Sequence, residues 1–259
     1  MDDLAPPGAS KTYADVDRSE DPANAATWMD RVAAMPAVAA YKEHMRSLLA
    51  LLDGVIIDVG CGLGDDVRAL GDRCIGIDPS RTMLATAVAR GGAFFAGSVD
   101  HLPVRAGSCA GARADRVLQH LRDPAGAVRT LVGSVRSGGL VVVADPEQST
   151  LEIEGPDPDL TQWVADFRVR GIRNAFMGSQ LPGLFGAAGL VDVEQASWTL
   201  ELRDPNDAFG IPTWSRYLVD AGTFDEAQAD RFDATLAASA ADGTFCYRIG
   251  FIVSWGRVA

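Results

Sequence analysis

Lysine and histidine are scarce in this chain. Its 259 residues include two lysines, Lys11 and Lys42, and three histidines, and the formal net charge is −12. Proteins that bind a nucleic-acid backbone gather lysine and arginine into a basic patch, whereas the arginines here are scattered among acidic residues. The composition therefore predicts no nucleic-acid partner, and it favours a small ligand that is uncharged or cationic.

Cysteine and long apolar runs are also lacking. The four cysteines stand at irregular spacing, which fits neither a disulfide framework nor a metal site and indicates a reducing compartment. No apolar run reaches the length of a membrane span, and the acidic N-terminus lacks the basic start of a signal peptide. We therefore expect a cytoplasmic protein with no metal and no membrane partner, either a monomer or a homodimer.

Three glycines spaced by two follow the first strongly apolar segment. Residues 55–59 (VIIDV) are typical of a strand buried on both faces, and Gly60, Gly62 and Gly64 come next. Without a Cβ, such positions turn the chain sharply and let a ligand approach the backbone. A dinucleotide site would have the spacing G-x-G-x-x-G, but Asp65 stands in the place of its third glycine. Because an acid there would repel a pyrophosphate, the turn favours a cofactor without phosphates.

A second apolar run ends in an acid twenty residues after Asp58. Residues 74–78 (CIGID) predict a neighbouring strand with Asp78 at its tip. In nucleotide-binding sheets a carboxylate in this place accepts the hydroxyl protons of a ribose. The alternative is that residues 78–80 only end the strand and that Ser80 caps the following helix. Both motifs together, at this spacing, favour a site for a cofactor that contains ribose.

These and three further segments resemble class I S-adenosylmethionine (SAM)-dependent methyltransferases, in the small-molecule branch that includes the quinone-biosynthesis methyltransferases. The further segments are GSVDHLP at 97–103, RADRVLQHLRDP at 113–124 and RSGGLVVVAD at 136–145. The resemblance spans roughly residues 50–145. It departs from the family at Ser98, where an acid usually accepts a hydrogen bond from the adenine amino group, and at Ser137, where proline is usual.

The resemblance implies SAM as the cofactor and a set of residues that bind it. Arg116 in this set is expected to pair with the cofactor's methionine carboxylate. The full set is Asp58, Gly60, Cys61, Gly62, Asp78, Pro79, Met83, Ser98, Val99, Ala114 and Arg116.

His120 is the candidate general base. It follows the fourth strand of the predicted sheet, where an imidazole can take a proton from a hydroxyl, a phenol or an amine. Asp145, at the tip of the fifth strand, is expected either to orient that imidazole or to bind the acceptor. The alternative for His120 is a structural role. His44 is expected at the surface or in packing, and His101 either near the adenine or in solvent.

The alternation of strand and helix predicts an α/β fold with a doubly wound, Rossmann-like sheet. Seven strands are expected, mostly parallel with the last one antiparallel, near 55–59, 74–78, 93–97, 110–114, 139–144, 191–202 and 244–258. The predicted divisions are an N-terminal arm with cap helices (1–52), a SAM-binding core (53–145), a lid over the acceptor (146–179) and the rest of the sheet domain (180–259). Tyr13 and Tyr41 are expected to line the cleft, and residues 204–220 to form a second acceptor wall.

The expected function is methyl transfer from SAM to a small molecule, with oxygen ahead of nitrogen or carbon as the atom methylated. Two alternatives stay open. A SAM-binding relative that does not methylate, such as a cyclase or a regulatory protein, would have the same cofactor turn. An NAD(P) oxidoreductase is the other alternative, and the glycine spacing together with Asp65 argues against it.

Overall fold

Seven strands form one sheet in the order β3-β2-β1-β4-β5-β7-β6. The computed structural model describes residues 16–18, 22–155 and 157–259. Strand β7 is antiparallel to both of its neighbours, and the remaining pairs are parallel. The predicted fold is therefore confirmed. The strands are β1 (Ile56–Val59), β2 (Cys74–Asp78), β3 (Ala93–Ala96), β4 (Cys109–Asp115), β5 (Val135–Glu154), β6 (Leu190–Leu202) and β7 (Cys246–Val258).

Nine α-helices cover the sheet in the described part of the chain. They are α1 (Pro22–Ala33), α2 (Pro36–Ala50), α3 (Asp65–Leu70), α4 (Arg81–Ala89), α5 (Pro124–Ser134), α6 (Pro158–Arg170), α7 (Met177–Ala187), α8 (Trp214–Asp220) and α9 (Glu226–Ala241). The break between α1 and α2 falls at Pro36, as expected, because the residue before a proline is biased away from helical geometry. None of these helices is both long and apolar enough to cross a membrane.

The apolar core lies in two layers, one on each face of the sheet. Adjacent residues of one strand enter opposite layers, because side chains alternate along a strand. In β1, Ile56 belongs to one layer and Ile57 to the other, and in β5 the same holds for Val142 and Val141. All four are fully buried. Burial on both faces explains why the central strands are continuous apolar runs.

Strand β5 is much longer than predicted, and this corrects the expected start of the lid. Residues 146–154 continue the strand beyond Asp145 and pair with β7, with a register shift between Glu147 and Glu152. Within the segment expected to form the lid (146–179), α6 follows the strand and α7 begins at Met177. A second insertion, residues 203–245 between β6 and β7, carries α8 and α9, and both helices pack against α6. Two insertions therefore meet on one side of the molecule.

Candidate active site

A cavity of about 310 Å³ opens at the carboxyl ends of the central strands. Parallel α/β sheets bind ligands at this edge. Because β2 and β7 lie on opposite flanks of β1 and β4, the cavity has two ends. We call them the β2 side, lined by Gly62, Asp78, Pro79, Ser80 and Met83, and the β7 side, lined by His120, Gln148, Arg168, Tyr247 and Phe251.

The glycine turn leaves no room for side chains at two of its positions. Gly60 and Gly62 have φ angles of 72° and 51°, in the left-handed region that favours glycine. A Cβ on Gly60 would lie 2.4 Å from Cγ2 of Val117, and one on Gly62 would lie 2.4 Å from Cε of Met29. Both glycines line the cavity. The turn thus presents bare backbone to a ligand.

Asp78 connects the glycine turn to the tip of β2 and also faces the cavity. Its Oδ2 accepts a hydrogen bond from the Gly62 amide and its Oδ1 accepts one from the Ser80 amide, each at 2.8 Å. The side chain is buried apart from the part that lines the cavity. Burial raises the pKa of this carboxyl, and the two backbone hydrogen bonds offset part of the rise. Ser80 meanwhile caps α4 by accepting from the Met83 amide, so the capping interpretation also holds.

Part of the N-terminal segment for which cap helices were predicted (1–52) lies over the β2 side of the cavity. Asp17 accepts a hydrogen bond from Oγ of Ser80 at 2.6 Å and another from the Arg81 amide at 2.9 Å. Val16 packs in a small apolar cluster with Met83. Farther along, both carboxylate oxygens of Asp30 pair with the Arg90 guanidinium. These contacts hold α1 against α4 above the cavity.

Two side chains hold the backbone of the turn Leu118–His120 in place. Asp145 accepts hydrogen bonds from the amides of Leu118 and Gln119 at 3.2 and 3.3 Å. Asn174 donates from its side-chain amide to the carbonyls of Leu118 and Leu121 at 2.9 and 2.8 Å. Two side chains from different parts of the chain, Asp145 and Asn174, therefore fix the backbone that carries the imidazole.

His120 lines the cavity as a neutral imidazole. Its Nδ1 is buried and has no hydrogen-bond partner among the described residues. Burial, together with the positive charges of Arg168, Arg116 and Arg173, lowers its pKa to about 4. An unprotonated imidazole in the lining of a ligand cavity is able to accept a proton.

Asp145 does not take the position expected for a partner of this imidazole. The carboxyl is fully buried, lies outside the cavity lining, and directs its hydrogen bonds to the Leu118 and Gln119 amides. Burial raises its pKa well above the usual range. The geometry assigns Asp145 to holding the turn beneath His120, and an acceptor in the cavity would not reach it.

Two predicted cofactor residues, Asp58 and Cys61, do not line the main cavity. Both line a smaller cavity beside it. Asp58 is paired with the buried Arg113 at 2.9 Å, and the same guanidinium nitrogen lies 3.0 Å from Asp66. Although burial alone would raise it, Arg113 and Lys42 hold the pKa of Asp66 below its usual range. This buried ion network supports the glycine turn from below.

Three other predicted cofactor residues do not line the cavity. Val99 and Ala114 lie in the apolar core, and Ser98 forms a backbone bridge with the exposed His101. Their assignment to the cofactor stays a prediction that the cavity does not support. Arg116 does line the cavity. It has a positive φ of 59°, and its amide donates to the Ala144 carbonyl at 2.7 Å, which turns the chain away from β4 at this point.

Aromatic rings form much of the β7 side. Trp28 meets Phe209 edge-on at 6.0 Å, and Phe209 lies 5.6 Å from Tyr247. Tyr41 is not itself in the lining: it is buried, stacks on Phe251 at 5.1 Å and donates a hydrogen bond to Asp115. Tyr13 lies outside the described residues. Phe209, from the segment predicted to form a second acceptor wall, lines the cavity.

His44 has the packing role that was expected of it. Its ring lies 5.0 Å from Trp198 and 5.1 Å from Trp255, on the outer face of β6 and β7 and away from the cavity. The sequence offered no motif for Gln148 or Arg168, which complete the β7 side. They come from the extended end of β5 and from α6.

Comparison with known proteins agrees with this arrangement. Residues 26–195 match the model of a family described as a methyltransferase domain. An uncharacterized 37.1 kDa protein in transposon TN4556 of Streptomyces fradiae is 32% identical over 231 residues, which cover 82% of this chain and 66% of that protein. The ubiquinone biosynthesis O-methyltransferase of Methylobacterium sp. (strain 4-46) is 34% identical over 167 residues, covering 54% of this chain and 66% of that protein. The chain thus spans just under two thirds of each relative.

Solved structures share the fold at low identity. Phosphoethanolamine N-methyltransferase 2 of Haemonchus contortus, in complex with S-adenosyl-L-methionine, matches with a TM-score of 0.59 at 13% identity, covering 97% of this chain and 61% of that chain. The cyclase SpnF matches with a TM-score of 0.51 at 19% identity, covering 86% of this chain and 82% of that chain. The family match, which spans more than half of the chain, is decisive. The chain belongs to the family of methyltransferase domains, within the class I SAM-dependent methyltransferases.

Proposed function

We propose that the protein transfers a methyl group from SAM to a small-molecule acceptor, and that oxygen is the atom methylated. The observation that carries the proposal is one cavity with two chemically different ends. Asp78 and the glycine turn line the β2 side, and a neutral imidazole lines the β7 side. The relative from Methylobacterium, which is named as an O-methyltransferase, favours oxygen over nitrogen or carbon.

The residues of the β2 side fit the cofactor. A carboxylate has about four acceptor sites, and backbone amides occupy two of those on Asp78. The others can accept the two ribose hydroxyls, which would also compensate the buried charge. Pro79 and Met83 supply apolar surface beside them, and Gly60 and Gly62 supply backbone without side chains. Arg116, which lines the cavity at the end of β4, can pair with the methionine carboxylate.

Bound SAM supplies an electrophilic methyl group on a sulfonium, and the chain supplies position and a proton acceptor. The β7 side is walled by aromatic rings, which exclude water and hold a planar acceptor. His120 would take the proton that the acceptor's hydroxyl loses as the oxygen–carbon bond forms, while the sulfur–carbon bond breaks and S-adenosylhomocysteine leaves. Asp145 and Asn174 keep the imidazole in place by fixing the backbone of its turn.

Ligand-induced thermal stabilisation tests the cofactor. SAM and S-adenosylhomocysteine (SAH) should each raise the melting temperature, because a ligand that binds only the folded state stabilises it. NADH should not. Stabilisation by NADH alone would show that the proposal is wrong and that the oxidoreductase alternative holds.

A labelled-methyl assay with phenolic, sugar and amine acceptors then tests the reaction. We expect transfer to a hydroxyl, and we expect His120→Ala to lose most of the turnover while it keeps its affinity for SAH. Full turnover by His120→Ala at every pH would remove the imidazole from the proposed role. Binding of SAM with no transfer to any acceptor would favour the non-methylating alternative.

A further inference from the structure

Two carboxylates on the β2 side, those of Asp78 and Asp17, are both hydrogen-bonded to Ser80. Asp17 belongs to the short 3₁₀ helix Val16–Arg18, and it lines the cavity as Asp78 does. The Ser80 amide donates to Oδ1 of Asp78 at 2.8 Å, and the Ser80 hydroxyl donates to Oδ1 of Asp17 at 2.6 Å. Burial, together with the charge of Asp17, raises the pKa of Asp78. A ligand on the β2 side therefore meets two neighbouring acids that come from different parts of the chain.

Asp17 contacts the N-terminus of α4 in the way that a bound anion does. Its Oδ2 accepts a hydrogen bond from the Arg81 amide at 2.9 Å, and its Oδ1 accepts one from the Thr82 amide at 3.2 Å. Backbone amides at the start of a helix bind phosphates and carboxylates, and the helix dipole favours negative charge there. The hydrogen bonds from Ser80, Arg81 and Thr82 hold the pKa of Asp17 well below its usual range, so the carboxylate is charged at neutral pH.

Each of the first four amides of α4 already has an acceptor. An α-helix provides no partners of its own for these N–H groups, which here belong to the N-cap Ser80 and to residues 81–83. The Ser80 amide donates to Asp78, the Met83 amide donates to Oγ of Ser80 at 3.1 Å, and the two amides between them donate to Asp17. A phosphate at the start of α4 would therefore have to displace the Asp17 carboxylate.

The start of α4 is also where a phosphate on the ribose would lie. In nucleotide-binding sheets the acid after the second strand accepts the ribose hydroxyls, and α4 begins three residues after Asp78. A phosphate esterified to one of those hydroxyls is one bond away from its oxygen, so it would reach the amides that follow the acid. Asp17 occupies this position with a negative charge of its own.

We propose that Asp17 determines the specificity of the cofactor site, which admits adenosine compounds with a free ribose and excludes those with a phosphate on that ribose. This rests on the proposed function, since it takes Asp78 as the residue that binds the ribose of SAM. The excluded class comprises adenosine 2′- and 3′-phosphates and the larger cofactors that contain them, such as NADP. Repulsion between the phosphate and two neighbouring carboxylates supplies the discrimination.

Calorimetric titration of the full chain with SAH, adenosine, adenosine 2′-phosphate and adenosine 3′-phosphate tests the inference. The wild type should bind SAH and adenosine, and it should bind each phosphate more weakly than adenosine, by about tenfold or more. Asp17→Ala should bring the affinity for at least one of the phosphates about tenfold closer to that for adenosine. Asp17→Glu, which keeps the carboxylate, should discriminate as the wild type does.

Asp30→Ala is the matched control. Asp30 also joins the N-terminal segment to α4, through its pair with Arg90, but it does not line the cavity. This variant should discriminate as the wild type does, and a change equal to that in Asp17→Ala would assign the effect to a loosened segment and overturn the inference. Unchanged discrimination in folded Asp17→Ala, or equal binding of adenosine and its phosphates by the wild type, would overturn it too.

A measurement with sulfate separates failure of the inference from failure of the proposed function, because sulfate needs no ribose site. Removal of Asp17 frees the Arg81 and Thr82 amides for an anion. Sulfate should therefore raise the melting temperature of Asp17→Ala more than that of the wild type or Asp30→Ala, at equal ionic strength set with chloride. If SAH and adenosine fail to bind, the proposed function fails, and this comparison still decides whether Asp17 occupies an anion position. Equal shifts in all three proteins would overturn the inference.

Discussion

The Gly62 amide donates a hydrogen bond to the carboxylate of Asp78 at 2.8 Å, so the tip of β2 and the glycine turn of β1 are joined through one side chain. The same carboxylate faces the cavity. The Asp78 carboxylate therefore both holds the glycine turn in shape and offers hydrogen-bond acceptor sites to a ligand. Its charge is desolvated by burial, which a pair of donated hydroxyl protons would compensate.

Replacing Asp78 should weaken cofactor binding. We expect Asp78→Ala to lower the affinity for SAH by about 1–3 kcal/mol, the usual cost of removing hydrogen bonds to a charged group. Calorimetric titration with SAH measures the change, and the melting temperature without ligand reports whether the turn survives. Asp72→Ala, at an exposed acid next to β2, should leave the affinity unchanged. Unaltered binding by a folded Asp78→Ala protein would remove this residue from the cofactor site.

SAH affinity should also fall in acid. The folded pKa of Asp78 is raised, so protonation sets in at a higher pH than for an ordinary aspartate. Since only the carboxylate accepts both ribose hydroxyl protons, affinity is full above that pKa and is lost as the pH falls through it. Measuring the affinity for SAH at a series of pH values tests this. If the affinity of Asp78→Asn falls with pH in the same way as that of the wild type, the assignment is contradicted.

His120 should make the fold less stable in mild acid. Its folded pKa, about 4, lies below its ordinary value of 6.5. The unfolded chain therefore takes up this proton first, so the stabilisation is complete above about pH 6.5 and is lost as the pH falls toward 4, by about 3 kcal/mol at most. Urea unfolding of wild type and His120→Gln across this range should show a shallower pH dependence in the variant. His101→Gln, at an exposed histidine, should behave like the wild type.

Asn174 should affect turnover and leave cofactor binding unchanged. Asn174→Ala removes the two hydrogen bonds to the Leu118 and Leu121 carbonyls, at a cost of about 1–2 kcal/mol in the free energy of unfolding. Because the turn carries His120, we expect kcat to fall while the Kd for SAH stays constant. Asn206→Ala is the control, since that exposed residue bonds only to Asp204 in the described contacts. An equal loss of SAH affinity would point to a general structural effect.

Arg113 should be essential to stability at neutral pH. Arg113→Leu leaves Asp58 and Asp66 buried without their shared partner, which typically costs about 3–5 kcal/mol. The deficit should shrink as the pH falls, because the stranded carboxyls take up protons. Urea unfolding at several pH values tests both parts, with the exposed Arg136→Leu as control. A deficit that stays constant with pH would show that lost packing, and not unpaired charge, is responsible.

Much of the sheet was predictable from the sequence, and the end of β5 was not. Runs such as VIIDV and CIGID have one interpretation, because apolar β-branched residues that end in glycine or an acid suit a strand buried on both faces. Pro146, Glu147 and Gln148 suggest a loop by the same logic. Glu147 is nevertheless buried, since it accepts hydrogen bonds from Ser149 and from the Ser179 amide. Partners that are distant in sequence made this polar stretch part of a strand.

The residues of the site, like the strands, were predicted only in part. Gly60, Asp78 and Arg116 were predicted, and they line the cavity, because their spacing follows from the strands that carry them. Asp58 was assigned to the cofactor from its place at the end of β1, but the buried Arg113 holds it below the turn. Arg168 had no signal at all. Its place in the cavity lining depends on α6 packing against α8, which no local pattern in either segment encodes.

The meeting of α6 and α8 separates two tasks between different parts of the chain. The β2 side is built from the sheet and its first helices, whereas Arg168 and Trp214 come from the two insertions. Under the proposed function, we expect exchange of these two segments alone to alter which molecule is methylated and to leave the methyl donor unchanged. The insertions are thus a natural unit for grafting: a chimera that receives them from a relative should acquire that relative's acceptor preference only when both are transferred together.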